Sequence, residues 1–315
     1  MNQRSRNIDT IINELLVLRQ RNNNNINYAI DANINFYQSI KSIIKYIKWC
    51  IKIAPTLDST KLLEINDILP KYDDVMHEQL INVERKTIPG IIKPLVRTII
   101  EVISDINHNI VLMSLGSGGA EIEREIIEAL IHKNFQKKIV FINVDQSLTA
   151  HEIAKKNLAS FSSKTDFYFF ETLSNQLIEK IKQNSHFNYI VIQCQNDIFK
   201  LDDVFPKNYF DIIYNSLFMH HLNFEQREKL ENICINISNN FLEYDGYKDF
   251  MKIILHSITA WHNIILLNGS VFSGLRYRTK TEILKNIKFN QDTNIKYELK
   301  FNNILGHYLL KYSKI

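Results

Sequence analysis

The chain has 315 residues, 45% of them hydrophobic, enough to bury one large core or two smaller ones. A net charge of +4 falls well short of the concentrated Lys/Arg stripe of a dedicated nucleic-acid binder, so no nucleic-acid signature is read from charge. The three cysteines, Cys50, Cys194 and Cys234, are odd in number and widely spaced, which excludes a disulfide framework and a Cys-based metal site. The start of the chain has no apolar signal segment, and no apolar run approaches the roughly 18 residues of a membrane span. A reduced, cytoplasmic protein with no membrane association and no metal is expected.

The first hundred residues read as helices. Ile8, Ile11, Ile12, Leu15 and Leu16 share one helical face, and Ile40, Ile43, Ile44, Ile47 and Ile51 share another, with the asparagine run of residues 22–25 as a linker between them. Pro55 closes the second helix, a capped segment opens at residues 58–60, and a further helix is expected over residues 73–85. After Pro89 and Gly90 comes one more stripe, Ile91, Ile92, Leu95, Val96, Ile99, Ile100 and Ile103, with Pro94 tolerated in its first turn. This defines an all-helical domain over residues 1–105.

From residue 106 to 315 the pattern changes to buried apolar runs alternating with amphipathic segments. Strands are expected at 109–115, 137–145, 188–194, 209–218 and 262–272, and helices at 121–133 and 148–159, with Ile122, Ile126, Ile127 and Leu130 turned inward. Such alternation predicts an α/β fold, a doubly wound and mostly parallel sheet with right-handed crossovers. Near the end, Ile295, Tyr297, Leu299 and Phe301 alternate, a turn follows, and Tyr308, Leu310 and Tyr312 alternate again. That pattern predicts a terminal antiparallel hairpin and a seven-stranded sheet. Residues 160–187 and 241–261 are read as helix-bearing insertions around it, and the aromatic run 167–170 as a strand or core patch.

Three of the chain's 8 glycines fall within four positions, in Gly116-Ser117-Gly118-Gly119, directly after the first strand. A glycine-rich turn from strand to helix lets backbone N–H groups approach a polar ligand at the positive end of the helix. The dinucleotide fingerprint needs another glycine at 121, where Glu121 stands, and a phosphate-cradling Gly-Lys-Ser/Thr is missing. The turn therefore suits a ligand without a pyrophosphate.

Over roughly residues 85–315 the chain resembles the class I S-adenosylmethionine-dependent methyltransferases. Ser114-Leu115-Gly116-Ser117-Gly118-Gly119-Ala120 is similar to their first motif, with Ser114 in place of an acid and Ala120 in place of the third glycine. The strand ending in Asp145 resembles the second motif. The resemblance implies that S-adenosyl-L-methionine is bound through Gly116, Ser117 and Gly118, with Asp145 accepting from the ribose hydroxyls and Gln146 lining the adenine side. It further implies that Asn196, Asp197 and Ile198 reach the adenine, and that Tyr214 and Asn215, ending the fourth strand, contact the methionine end.

His220 is the candidate catalytic base, with His221 a weaker one, because an imidazole titrates near neutrality and follows that strand at the mouth of the sheet. The implied activity is methyl transfer to an O, N or C atom of a small molecule. A protein or RNA methyltransferase and an inactive methyltransferase-like binding protein are the alternatives. The N-terminal helices are expected to cover the cleft or to form a homodimer. At position 114 the serine is expected to offer the cofactor's ammonium a neutral hydrogen bond, and at position 120 a helical backbone with negative φ is expected, where alanine costs nothing.

Overall fold

The computed structural model describes residues 90–249, 277–289, 295–303 and 306–315, with isolated positions 13, 16, 17, 20 and 274. The helices expected before residue 90 and the strand expected at 262–272 lie outside the described residues. The chain divides into two compact units, residues 1–76 with 246–283 and residues 77–245 with 284–315.

The described part of the first unit is small. Tyr247 and Arg278 form a parallel bridge, the Lys248 N–H donates to the Arg278 carbonyl at 2.9 Å, and the Lys280 ammonium lies 4.6 Å from the Tyr247 ring centroid.

The second unit is built on one sheet. In chain order the elements are α1 (Lys93–Asp105), β1 (Ile110–Leu115), α2 (Glu121–His132), β2 (Ile139–Val144), α3 (Leu148–Leu158), β3 (Thr165–Phe170), α4 (Asn175–Asn184) and β4 (Tyr189–Cys194). There follow α5 (Leu201–Val204), β5 (Phe210–Ser216), α6 (Phe224–Ile237), β6 (Ser238–Gly246), α7 (Lys280–Phe289), β7 (Ile295–Asn302) and β8 (His307–Lys314). The strands lie in the order β3-β4-β2-β1-β5-β6-β8-β7. From β3 to β6 every pairing is parallel, and β7 runs antiparallel to β8.

Runs of apolar, β-branched residues explain the central strands. All six residues of β1, β2 and β4 are buried, as continuous hydrophobic strands covered on both faces must be. One face carries Leu112, Phe141, Val191, Ile212, Tyr214 and Leu242, packed against Leu95, Ile99 and Ile103 of α1, Ile126 and Leu130 of α2, and Ala154 of α3. Pro94 sits in the first turn of α1, where its missing N–H costs nothing. The amino ends are pinned by Asp211, which accepts from the Val111 N–H at 2.9 Å and contacts His108 Nε2 at 2.8 Å, tying β1 to β5.

Three expectations are corrected. Among the described residues the sheet has eight strands rather than seven, because Thr165–Phe170, in a stretch read as an insertion whose aromatic run was read as a strand or core patch, pairs with β4 at the sheet edge. As an edge strand it is only partly buried, so it lacks the continuous apolar signature of its neighbours. Likewise the strand beside β5 is Ser238–Gly246, which runs into the stretch 241–261 read as an insertion. Its acids escaped a hydrophobicity reading because Glu243 and Asp245 are buried against distant partners, among them Tyr308 for Glu243. The expected hairpin is present as β7 and β8.

The third correction concerns Ala120, which caps α2 in the left-handed conformation (φ 56°, ψ 37°) rather than in a helical one. An alanine there carries roughly 1–2 kcal/mol of strain. Glycine would relieve it but would lose a fully buried methyl, worth about 0.8 kcal/mol, and would add chain entropy to the unfolded state. Ala120→Gly should therefore change stability by less than about 1 kcal/mol. Ala120→Val, β-branched and without room, should cost more than about 2 kcal/mol. Denaturant unfolding of both variants checks the contrast.

Candidate active site

The strand order reverses at β1, whose neighbours β2 and β5 are reached from opposite sides of the sheet, and in such folds ligands sit beyond the carboxyl ends at the reversal. The glycine turn leaves β1 at that point. Gly116 has φ 63° and a Cβ there would overlap the Phe218 ring, so both its conformation and its neighbour exclude a side chain. A Cβ on Gly119 would meet Glu121, Asn157 and Ile153, which makes its bareness a matter of helix packing.

The turn's backbone is held by the end of β2. Gly116 and Ser117 N–H groups donate to the Val144 carbonyl at 2.9 and 3.3 Å, and the Gly118 N–H donates to Asp145 Oδ2 at 2.9 Å. The other carboxylate oxygen, Oδ1, accepts from the Ser147 N–H at 2.9 Å, where α3 begins. Asp145 is half-buried, and each oxygen keeps capacity for a further donor from the cleft. His151 Nε2, on α3, lies 2.9 Å from the Asp145 carbonyl and braces the same residue from behind.

The remaining expected site residues separate into two groups. Gln146 is exposed, and its carbonyl accepts from Gln195 Nε2 at 2.8 Å, which ties the loops after β2 and β4 together. In the loop after β4, Ile198 is half-buried, and the exposed Asp197 accepts from the Phe199 N–H at 3.0 Å to cap a short 3-10 turn. Asn196 turns away: its amide accepts from the Leu173 N–H at 2.8 Å and donates to the Leu173 carbonyl at 3.1 Å, so its side chain braces a loop. Asn215 at the end of β5 is fully buried, and neither of its amide atoms has a hydrogen-bond partner among the described residues. Ser117 Oγ is in the same state.

Tyr214 and Ser114 lie side by side in register, and both turn toward α2. The Tyr214 hydroxyl donates to Glu123 Oε1 at 2.6 Å, and Ser114 lies close to the same carboxyl. Burial pushes the Glu123 carboxyl up to about 7, against the lowering effect of the Tyr214 hydroxyl, its own backbone and Ser114. Ser114, expected to meet a ligand's ammonium, thus lies beside an acid from the next helix. Glu123 was missed in the sequence, although it stands on the same stripe as Ile126, Ile127 and Leu130, where an acid is a conspicuous exception.

His220 was expected; its partner was not. The His220 ring is buried with Nδ1 at 2.9 Å from Asp245 Oδ1, and the His220 backbone N–H donates to Asp245 Oδ2 at 3.0 Å. A carboxylate on Nδ1 places the proton there and makes Nε2 the accepting nitrogen. The short turn carrying this histidine is fixed by Arg227, which donates twice to the Met219 carbonyl, at 2.8 and 3.2 Å. Leu217 just before it is left-handed at φ 53°, a strained position of the sort found at functional loops. His221 is exposed. Among the described residues no group of His, Cys, Asp and Glu could hold a metal ion, and no helix is long and apolar enough to cross a membrane.

The titration of Glu123 yields a stability prediction. The unfolded glutamate titrates near 4.5 and the folded one near 7, so between these values the folded chain keeps a proton that the unfolded chain has lost. Stability from this group is complete below about pH 4.5, falls as the pH rises, and levels off above about 7. Wild-type protein should lose about 2–3 kcal/mol of stability from pH 5 to pH 8 through this group. Denaturant unfolding of Glu123→Gln should lack that component; an identical pH dependence in both proteins would contradict it.

No family model matches the sequence, and no curated protein does. Solved structures do match in fold. A magnesium protoporphyrin IX methyltransferase from Synechocystis PCC 6803, with bound SAH, is 12% identical over 73% of this chain and 87% of its own, with a TM-score of 0.44. The plantazolicin methyltransferase BpumL, in complex with SAH and a triazolic desmethylPZN analog, is 13% identical over 86% of this chain and 99% of its own, with a TM-score of 0.49. The CurJ carbon methyltransferase is 10% identical over 90% of this chain and 67% of its own, with a TM-score of 0.48. At such identities and scores these likenesses concern the course of the chain and carry nothing about its activity.

Proposed function

We propose that the protein is an S-adenosylmethionine-dependent methyltransferase that acts on a small molecule. The observation that carries this reading is the junction of the Gly118 N–H with the Asp145 carboxylate, which fixes a glycine turn and an acid side by side at the reversal of the sheet. Gly116, Ser117 and Gly118 offer close backbone approach, Asp145 offers oxygens to a diol, and the orphaned amide of Asn215 and hydroxyl of Ser117 offer buried polar atoms that a ligand would satisfy. These groups fit a nucleoside carrying a polar amino-acid end. The loops at Gln146 and at Asp197 and Ile198 would flank its base. The small-molecule acceptor is favoured by the absence of a Lys/Arg-rich stripe in the sequence.

When bound, S-adenosylmethionine supplies a methyl group already activated on a sulfonium. The chain's own work is to hold an acceptor in line and, for a hydroxyl or ammonium acceptor, to take its proton. His220 is suited to that step: Asp245 orients the ring, keeps the proton on Nδ1, and stabilises the imidazolium that forms when Nε2 accepts another.

Calorimetry should show S-adenosylmethionine and its demethylated product binding to the wild type. Asp145→Ala should weaken that binding by about 1.5–3 kcal/mol, the worth of hydrogen bonds to a charged group. Methylation of small molecules in a metabolite extract, followed with a labelled methyl group, should fall about 10²–10⁴-fold in His220→Ala with cofactor affinity little changed. Absence of cofactor binding by the wild type would sink the reading.

A further inference from the structure

Ser114 stands where the resemblance places an acid, and the structure supplies a carboxylate beside it from another element. Glu123, in the first turn of α2, is 1% exposed. Its Oε1 is held by the Tyr214 hydroxyl at 2.6 Å, and Ser114 stands close by. Its Oε2 has no hydrogen-bond partner among the described residues. Ser114 and Tyr214 pair in register near the ends of β1 and β5, two residues before Gly116 opens the turn and one before the orphaned Asn215. A buried acceptor oxygen without a donor is a rare arrangement that a cationic ligand would resolve.

Resting on the reading of the cleft as a cofactor site, the geometry points to Glu123 as the carboxylate that receives the ammonium of the cofactor's methionine end, in place of the acid missing at position 114. The exchange is sterically consistent. Serine at 114 is short and can hydrogen-bond the incoming carboxyl, whereas an aspartate there would set a second negative charge against it. The groups facing Glu123 are Tyr214 from β5, Ser114 from β1 and the nearby charge of Glu121 on α2, which raises its proton affinity further. Among the described residues no cation joins them. Without ligand the carboxyl therefore keeps its proton up to about pH 7, and an ammonium placed against it expels that proton. Cofactor binding and proton release become one event.

The test is calorimetry with S-adenosylhomocysteine, which carries the ammonium but has no methyl group to transfer, in two buffers of different ionisation heat at pH 6 and pH 8. Binding to the wild type should be about tenfold tighter at pH 8, with release approaching one proton at pH 6. Methylthioadenosine, which keeps the nucleoside and thioether but lacks the ammonium, should bind with neither effect. Glu123→Gln should bind S-adenosylhomocysteine without pH dependence in this range. If that variant does not fold, the comparison of the two ligands on the wild type decides. Equal proton release with both ligands, or proton release retained in Glu123→Gln, overturns the assignment and leaves the cleft reading intact. Failure of both ligands to bind at either pH overturns the cleft reading itself.

Discussion

Everything at the carboxyl edge depends on how the backbone leaves β1. A fully buried parallel strand must hand over to a helix within five residues, and each amide exposed by that departure needs an acceptor. The end of β2 provides most of them: the Val144 carbonyl serves two N–H groups and the Asp145 carboxylate serves a third, while the Gly119 carbonyl accepts from Asn157 Nδ2 at 2.6 Å. The left-handed turns at Gly116, Gly118 and Ala120 follow from that demand. Because the acid that holds the turn is also the one proposed to meet the ligand, the local satisfaction of the backbone would shape the proposed site.

Much of this was legible in the sequence. The central strands announce themselves because burial on both faces leaves unbroken apolar runs, and the closing hairpin because one residue in two is apolar. The glycine turn and Asp145 were legible for a related reason, since each falls directly after such a run. The partners of His220 and Ser114 were not. Asp245 lies 25 residues from the histidine it orients, at the end of a strand whose asparagines and acids disguise it. Glu123 reads as a solvent-facing residue of a charged helix until its place on the apolar stripe is noticed. Pattern reading sees hydrophobic burial; polar groups buried by a tertiary partner carry no periodic signal.

Ala120 shows the same limit for the backbone. Nothing in its side chain signals a left-handed residue, and the helix that follows would suggest the opposite. The conformation is imposed by the Ser117–Ala120 turn, in which the Ala120 N–H donates to the Ser117 carbonyl at 3.0 Å, and by the packing of α2 on the sheet.

The placing of the edge strands has a consequence for the order of assembly. Among the described residues β3 has only β4 as a neighbour and β7 only β8, yet in each pair the edge strand is earlier in the chain than the strand that joins it to the sheet. Each must therefore wait for a later segment to slide in beside it, with its hydrogen-bonding groups meanwhile open to wrong partners. For β3 the waiting segment is aromatic, and Asp166, held by the Ser185 hydroxyl at 2.5 Å, is the one charge within it. A charge at that position opposes the pairing of such an aromatic strand with another copy of itself.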